Sequence, residues 1–132
     1  MKNVQQFIAT NKITLTADWA DSNPHMIDSQ NMDHWKVTLR RGRKRLTVYF
    51  SMGYAHNGKP PQADDVLDCL ASDSAGHDNA RDFENWAAEY GYDTDSRKAE
   101  KIYRVVERQA AKLNVFLGDD LYNELLWDTE RL

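Results

Sequence analysis

Five cations crowd six positions in "LRRGRKRLTVYF": Arg40, Arg41, Arg43, Lys44 and Arg45, with Gly42 among them. Side chains of this type at this density attract anions, either the phosphates of a nucleic acid or an acidic protein surface. The other reactive residue types are dispersed. His25, His34, His56 and His77 have no Cys or His three or four positions away, so zinc binding is not expected. "DTDSRKAE" opens like a calcium loop with Asp93 and Asp95, yet it lacks the sixth-position glycine and reads better as a helix start capped by Thr94 or Asp95. Cys69 sits at helical spacing beside Val66 and Leu70 and is expected to be a shielded, inert thiol. The six glycines are isolated, so there is no phosphate-cradling loop. These patterns predict a non-enzymatic chain with no cofactor and no metal, whose business is binding.

Charge is divided along the chain. Residues 1–63 hold nine Lys/Arg against four Asp/Glu, net +5; residues 64–132 hold eight against seventeen, net −9. A second candidate binding surface is therefore acidic and helical: Asp64, Asp65, Asp68, Asp82, Glu84 and Glu89. A length of 132 residues with 41% hydrophobic and 11% aromatic residues suits one folded domain over 1–132. A lone cysteine, no apolar run long enough for a membrane span and no apolar leader core predict a cytoplasmic protein.

The elements that must carry these residues follow from periodicity. Val4, Phe7 and Ile8 predict a short N-terminal helix over 3–10, and the alternation of Ile13, Leu15, Ala17 and Trp19 predicts a half-buried strand. Turn formers fill 20–34. Placing Gly42-Arg43 in a two-residue turn sets Trp35 against Phe50, Val37 against Val48, Leu39 against Leu46 and Thr38 against Thr47. One register then satisfies the turn and both faces, while opposing Arg40 to Arg45 and Arg41 to Lys44 at a mild cost. The turn needs only Gly42, and nothing in the fold is expected to require the other bases. Helical stripes follow: Ala63, Val66, Leu67 and Leu70; Phe83, Trp86, Ala87 and Tyr90, stopped at Gly91; Ala99 to Leu117, stopped at Gly118; and Leu121 to Leu126. The expected fold is α+β: a short N-terminal helix, a three-stranded antiparallel sheet with a β-hairpin, and a C-terminal helical half packed on one sheet face. Trp19, Trp35, Phe50, Phe83 and Trp86 are expected in the core, and Tyr54 and Tyr92 at an interface.

Helix, three strands, helix is also the order of the double-stranded RNA-binding domain, whose second helix grips phosphates with lysines. Here that helix opens "QADDVLD", whose acids would repel a phosphate. A different resemblance lies in "DDVLDCLASD", "FENWAAEYGYDTDSRKAEKIY" and "KLNVFLG", carried by Asp65, Leu67, Asp68, Trp86, Gly91, Tyr92, Asp93, Asp95, Ser96, Arg97 and Glu100. With the preceding hairpin, these stretches resemble a family of small proteins of phages and prophages. That resemblance implies a phage or mobile-element binding protein, of the kind that inhibits a host defence complex such as CRISPR-Cas. A host protein or nucleoprotein complex is then the first expected partner. Direct nucleic-acid binding through the Arg40–Arg45 tip is the alternative.

Overall fold

The structure, a computed structural model, describes residues 2–25, 32–53 and 58–130. Tyr54, expected at an interface, lies outside the described residues. Helix α1 (Val4–Asn11) starts where the Asn3 side chain accepts the Gln6 N–H at 2.8 Å. It stops at Lys12, which takes the left-handed conformation (φ 54°, ψ 48°). There the Lys12 and Ile13 N–H groups return to Ala9 and Ile8 carbonyls at 3.3 and 3.0 Å. The turn points the chain into β2 (Thr14–Ala20), and β3 (Met32–Arg41) and β4 (Lys44–Gly53) complete an antiparallel meander in the order β2-β3-β4. Short β1 (Lys2–Asn3) pairs in parallel with β5 (Thr129–Glu130).

The hairpin has the register its sequence dictates. Trp35 opposes Phe50, Val37 opposes Val48, Leu39 opposes Leu46, and Arg40 and Arg41 oppose Arg45 and Lys44. Gly42 has φ +59°, and Arg43 is not in the positive-φ region, as a turn with glycine at its first central position requires. On the outer face the Thr38 and Thr47 hydroxyls hydrogen-bond at 3.0 Å. The inner face carries Trp35, Val37, Leu39, Leu46 and Val48 into a core shared with Phe7, Leu67, Leu113, Phe116, Leu125 and Leu126. Trp19 departs from expectation: it is 57% exposed. It has the inward parity, but β2 is an edge strand, and its ring meets Trp35 in a T-shaped contact at 5.1 Å.

The second half is helical: α2 (Ala63–Ala80), α3 (Phe83–Glu89), α4 (Arg97–Leu117) and α5 (Asp119–Asn123), which runs into a π-helical turn, Glu124–Asp128. Helix α3 ends in a Schellman motif. Gly91 (φ +75°) sends its N–H to Ala88 and Tyr92 sends its own to Ala87 at 2.8 Å. Helix α4 is capped by Ser96, whose hydroxyl accepts the Ala99 N–H at 3.2 Å, and not by Thr94 or Asp95. Asp93 has already turned back on the Asp95 N–H at 3.0 Å, which places the helix start one residue later. Trp86, Ala87 and Tyr103 form a second, smaller core between α3 and α4. Among the described residues no helix is long and apolar enough to cross a membrane.

Candidate nucleic-acid interface

The basic hairpin tip is docked on the helical half. Arg41 donates to the Phe116 carbonyl at 3.2 Å and Lys44 to the Val115 carbonyl at 3.2 Å. Both acceptors lie in the last turn of α4, which has no basic residue of its own there. The carbonyls at a helix end carry partial negative charge without intrahelical partners, and cations stabilise them. The fold therefore does use Arg41 and Lys44, and the repulsion across the hairpin is offset by a helix C-terminus. Arg40 bonds the Thr16 hydroxyl on β2 at 2.8 Å. Arg43 and Arg45 are exposed.

Docking sets α4 beside β4, and this brings a second cationic row to the first. Arg97, Lys101, Arg104, Arg108 and Lys112 follow one another at four, three, four and four positions, which is one helix face. The opposite face, with Ala99, Tyr103, Val106, Ala110 and Leu113, is buried. Three adjoining cavities run along this row, two of them against the sheet and the third against Pro24 and His25. One of about 560 Å³, near the tip, is lined by Lys44, Arg45 and Lys112 with Leu46, Thr47, Ala111, Val115 and Phe116. The next, about 280 Å³, shares Thr47 and Lys112 with it and adds His25, Lys36, Tyr49, Arg108 and Gln109. The third, about 530 Å³, shares His25, Val105 and Arg108 with the second and adds Arg97, Glu100, Lys101 and Arg104. Together they form a groove; among the described residues, its lining holds eight Lys/Arg and one carboxylate, Glu100. From Arg97 to Lys112 it follows α4 for about 22 Å at 1.5 Å per residue.

Buried Asn23 fixes the middle of the groove. It donates to the Ser51 hydroxyl at 3.0 Å and accepts the His25 N–H at 3.0 Å. His34 Nδ1 shares the same hydroxyl at 2.8 Å. His25 is thereby held edge to face with Tyr49, ring centroids 5.8 Å apart. Desolvation first, then the charges of Arg108 and Lys112, hold the His25 pKa below its ordinary 6.5. The imidazole thus reports a positive field. Local acids temper the groove at two places. Arg104 is paired with Glu107 at 3.1 Å and approaches Glu100 at 3.9 Å, and Asp18 on β2 stands across from Lys36.

The acidic candidates do not gather into one surface. Asp65 accepts the Gln62 N–H at 2.9 Å and Asp82 accepts the Asn85 N–H at 2.9 Å, so both are helix caps. Asp64 accepts from Gln5 at 3.3 Å. Asp64, Asp65 and Asp68 begin α2, whereas Asp82, Glu84 and Glu89 belong to α3 beyond its far end, about 27 Å away at 1.5 Å per residue. Cys69 is exposed, against expectation, because it lies off the buried stripe of Val66, Leu67 and Leu70. It is inert for another reason: desolvation by the surrounding protein, then the Asp73 and Asp68 carboxylates, push its pKa up to about 12. Tyr92 is 39% exposed and stacks on Trp86 at 5.3 Å. No cluster of three potential metal ligands occurs among the described residues.

No family model, no curated protein and no solved structure matches the chain. The groove must be read from its own chemistry. Sequence reading found its tip end, Lys44 and Arg45, and missed Lys36, Arg97, Lys101, Arg104, Arg108 and Lys112. For the five on α4 the signal was present in their near-heptad spacing, but it was averaged into a half-chain of net −9, while Lys36 read only as a polar position of its strand.

Proposed function

We propose that this chain is a non-enzymatic protein that binds nucleic acid in the groove between β4 and α4. The observation that carries the reading is the lining itself: among the described residues, eight Lys/Arg against one carboxylate along three adjoining cavities. A row of fixed cations facing a polyanion gains from counterion release, which needs no base recognition. This supports direct nucleic-acid binding over an acidic docking surface, because the acids expected to form that surface are divided between α2 and α3 and partly spent as caps. The net charge of −4 then works as a restraint, repelling nucleic acid everywhere but the groove. The phage-protein resemblance adds a setting, the host cytoplasm, and a partner class, a host nucleoprotein complex such as a CRISPR-Cas effector, whose nucleic acid the groove would engage.

Salt-dependent binding of labelled oligonucleotides tests the reading. With about six phosphates neutralised, the slope of log affinity against log salt should be roughly −4 to −5. Replacing exposed Arg97, Lys101, Arg108 and Lys112 with Ser should remove about three units of that slope and leave the fold intact. No wild-type binding even at low salt, or binding whose strength and salt slope are indifferent to the four substitutions, would overturn it.

A further inference from the structure

The three cavities of the groove differ in a way that distinguishes a single strand from a duplex. The cavity at the tip is walled on one side by Leu46, Ala111, Val115 and Phe116, and the one at the α4 start contains Glu100. Among the described residues, the middle cavity has no carboxylate in its lining. Lys36, Arg108 and Lys112 supply three cations there, and the Thr47 hydroxyl and Gln109 amide supply neutral hydrogen-bonding groups. Its volume, about 280 Å³, sits near the lower end of the range for small-ligand pockets and suits one nucleotide-sized group.

Tyr49 lines this same cavity. It is half-buried on the outer face of β4, directly across from Lys36 and in T-shaped contact with His25. An aromatic ring on the solvent side of a sheet, flanked by cations, is how sheet proteins hold unstacked bases. In a duplex the bases are stacked and paired away from such a recess, so only backbone would meet the groove and the ring would be idle. In a single strand each base is free to leave the backbone line.

We propose that the groove takes a single strand and that its middle cavity seats one nucleotide, with the phosphate among Lys36, Arg108 and Lys112 and the base against Tyr49. This rests on the nucleic-acid reading above and names the strand class it serves. At the helical spacing of about 3.4 Å per nucleotide, the 22 Å of groove along α4 spans at most about six nucleotides, within the range of single-strand sites.

The test compares a short labelled oligothymidine with a blunt duplex of equal length, by fluorescence anisotropy on the full chain. The single strand should bind about tenfold tighter, Tyr49→Leu should lose about tenfold on it while leaving duplex binding unchanged, and Tyr49→Phe should retain wild-type affinity. Photocrosslinking of wild type to a bromouridine-substituted strand should place the adduct on Tyr49, a readout that needs no folded variant. Equal or tighter binding of the duplex, Tyr49→Leu without effect, or adducts only elsewhere would overturn the single-strand assignment and leave the nucleic-acid reading standing. Failure of both oligonucleotides to bind would overturn both.

Discussion

Arg41 and Phe116, 75 positions apart, are joined by a hydrogen bond of 3.2 Å from a guanidinium at the hairpin tip to a carbonyl in the last turn of α4. With Lys44 on the neighbouring Val115 carbonyl, it ties the basic hairpin to the helix whose outer face is also basic. The two cationic rows are adjacent because two of the cations are spent on a helix end. The joint is thus both a cap and the hinge line of the groove.

Arg41→Ala and Lys44→Ala should each lower stability by about 0.5–1 kcal/mol, the usual worth of a cation at a helix C-terminus. Arg43→Ala, on an exposed turn residue, should stay within about 0.5 kcal/mol of wild type. Urea denaturation of the three variants checks this. The loss at Lys44, whose contact is exposed, should shrink as salt is added, and more than the loss at part-buried Arg41.

Lys12 ends α1 with φ 54° and no glycine to carry it. A side chain in this region costs about 1–2 kcal/mol, partly returned by the greater freedom of glycine in the unfolded chain. Lys12→Gly should therefore raise stability by about 0.5–1 kcal/mol, read as a higher urea midpoint at unchanged slope.

What the sequence disclosed was whatever depended on neighbours in the chain. Gly42 and the parity of Val37, Leu39, Leu46 and Val48 admit one hairpin register, and Gly91 marks the end of α3. What depended on distant packing was hidden. Trp19 has core parity, but strand order makes β2 an edge. Helix α2 continues past its expected end to Ala80 because Ser74 and Ala75 are buried there, and Gly76 leaves room for the Tyr90 hydroxyl, which a Cβ would strike. The groove needed both kinds of information: the α4 stripe is a local pattern, but its place beside Lys36 and Tyr49 is set by the docking of Arg41 and Lys44.

Cys69 should label slowly despite its exposure. With its pKa pushed up to about 12, little thiolate exists at neutral pH, and thiolate is the reactive form. Asp73 Oδ2 lies 3.9 Å from the sulfur, so Asp73→Asn removes a carboxylate that favours the neutral thiol. The rate of alkylation at pH 8 should rise severalfold in that variant and the fold should be unaltered.

His25 offers a direct readout of the groove. Desolvation, Arg108 and Lys112 lower its pKa from 6.5, while Lys36 and Tyr49 face it from the sheet. Because the folded value is the lower one, the unfolded chain takes up the proton first as pH falls. The His25 contribution to stability is therefore present above pH 6.5 and lost as pH drops through the folded value. Its imidazole resonances should titrate below 6.5 in wild type, and Arg108→Ser with Lys112→Ser should move the midpoint up towards 6.5. Nucleic acid in the groove should do the same without mutation, because phosphates neutralise the two cations that depress it. Binding would then take up a proton and strengthen as pH is lowered through 6.5. A His25 midpoint that ignores both the substitutions and a saturating oligonucleotide would mean that the positive field along α4 does not reach the ring, and that phosphate does not enter the middle of the groove.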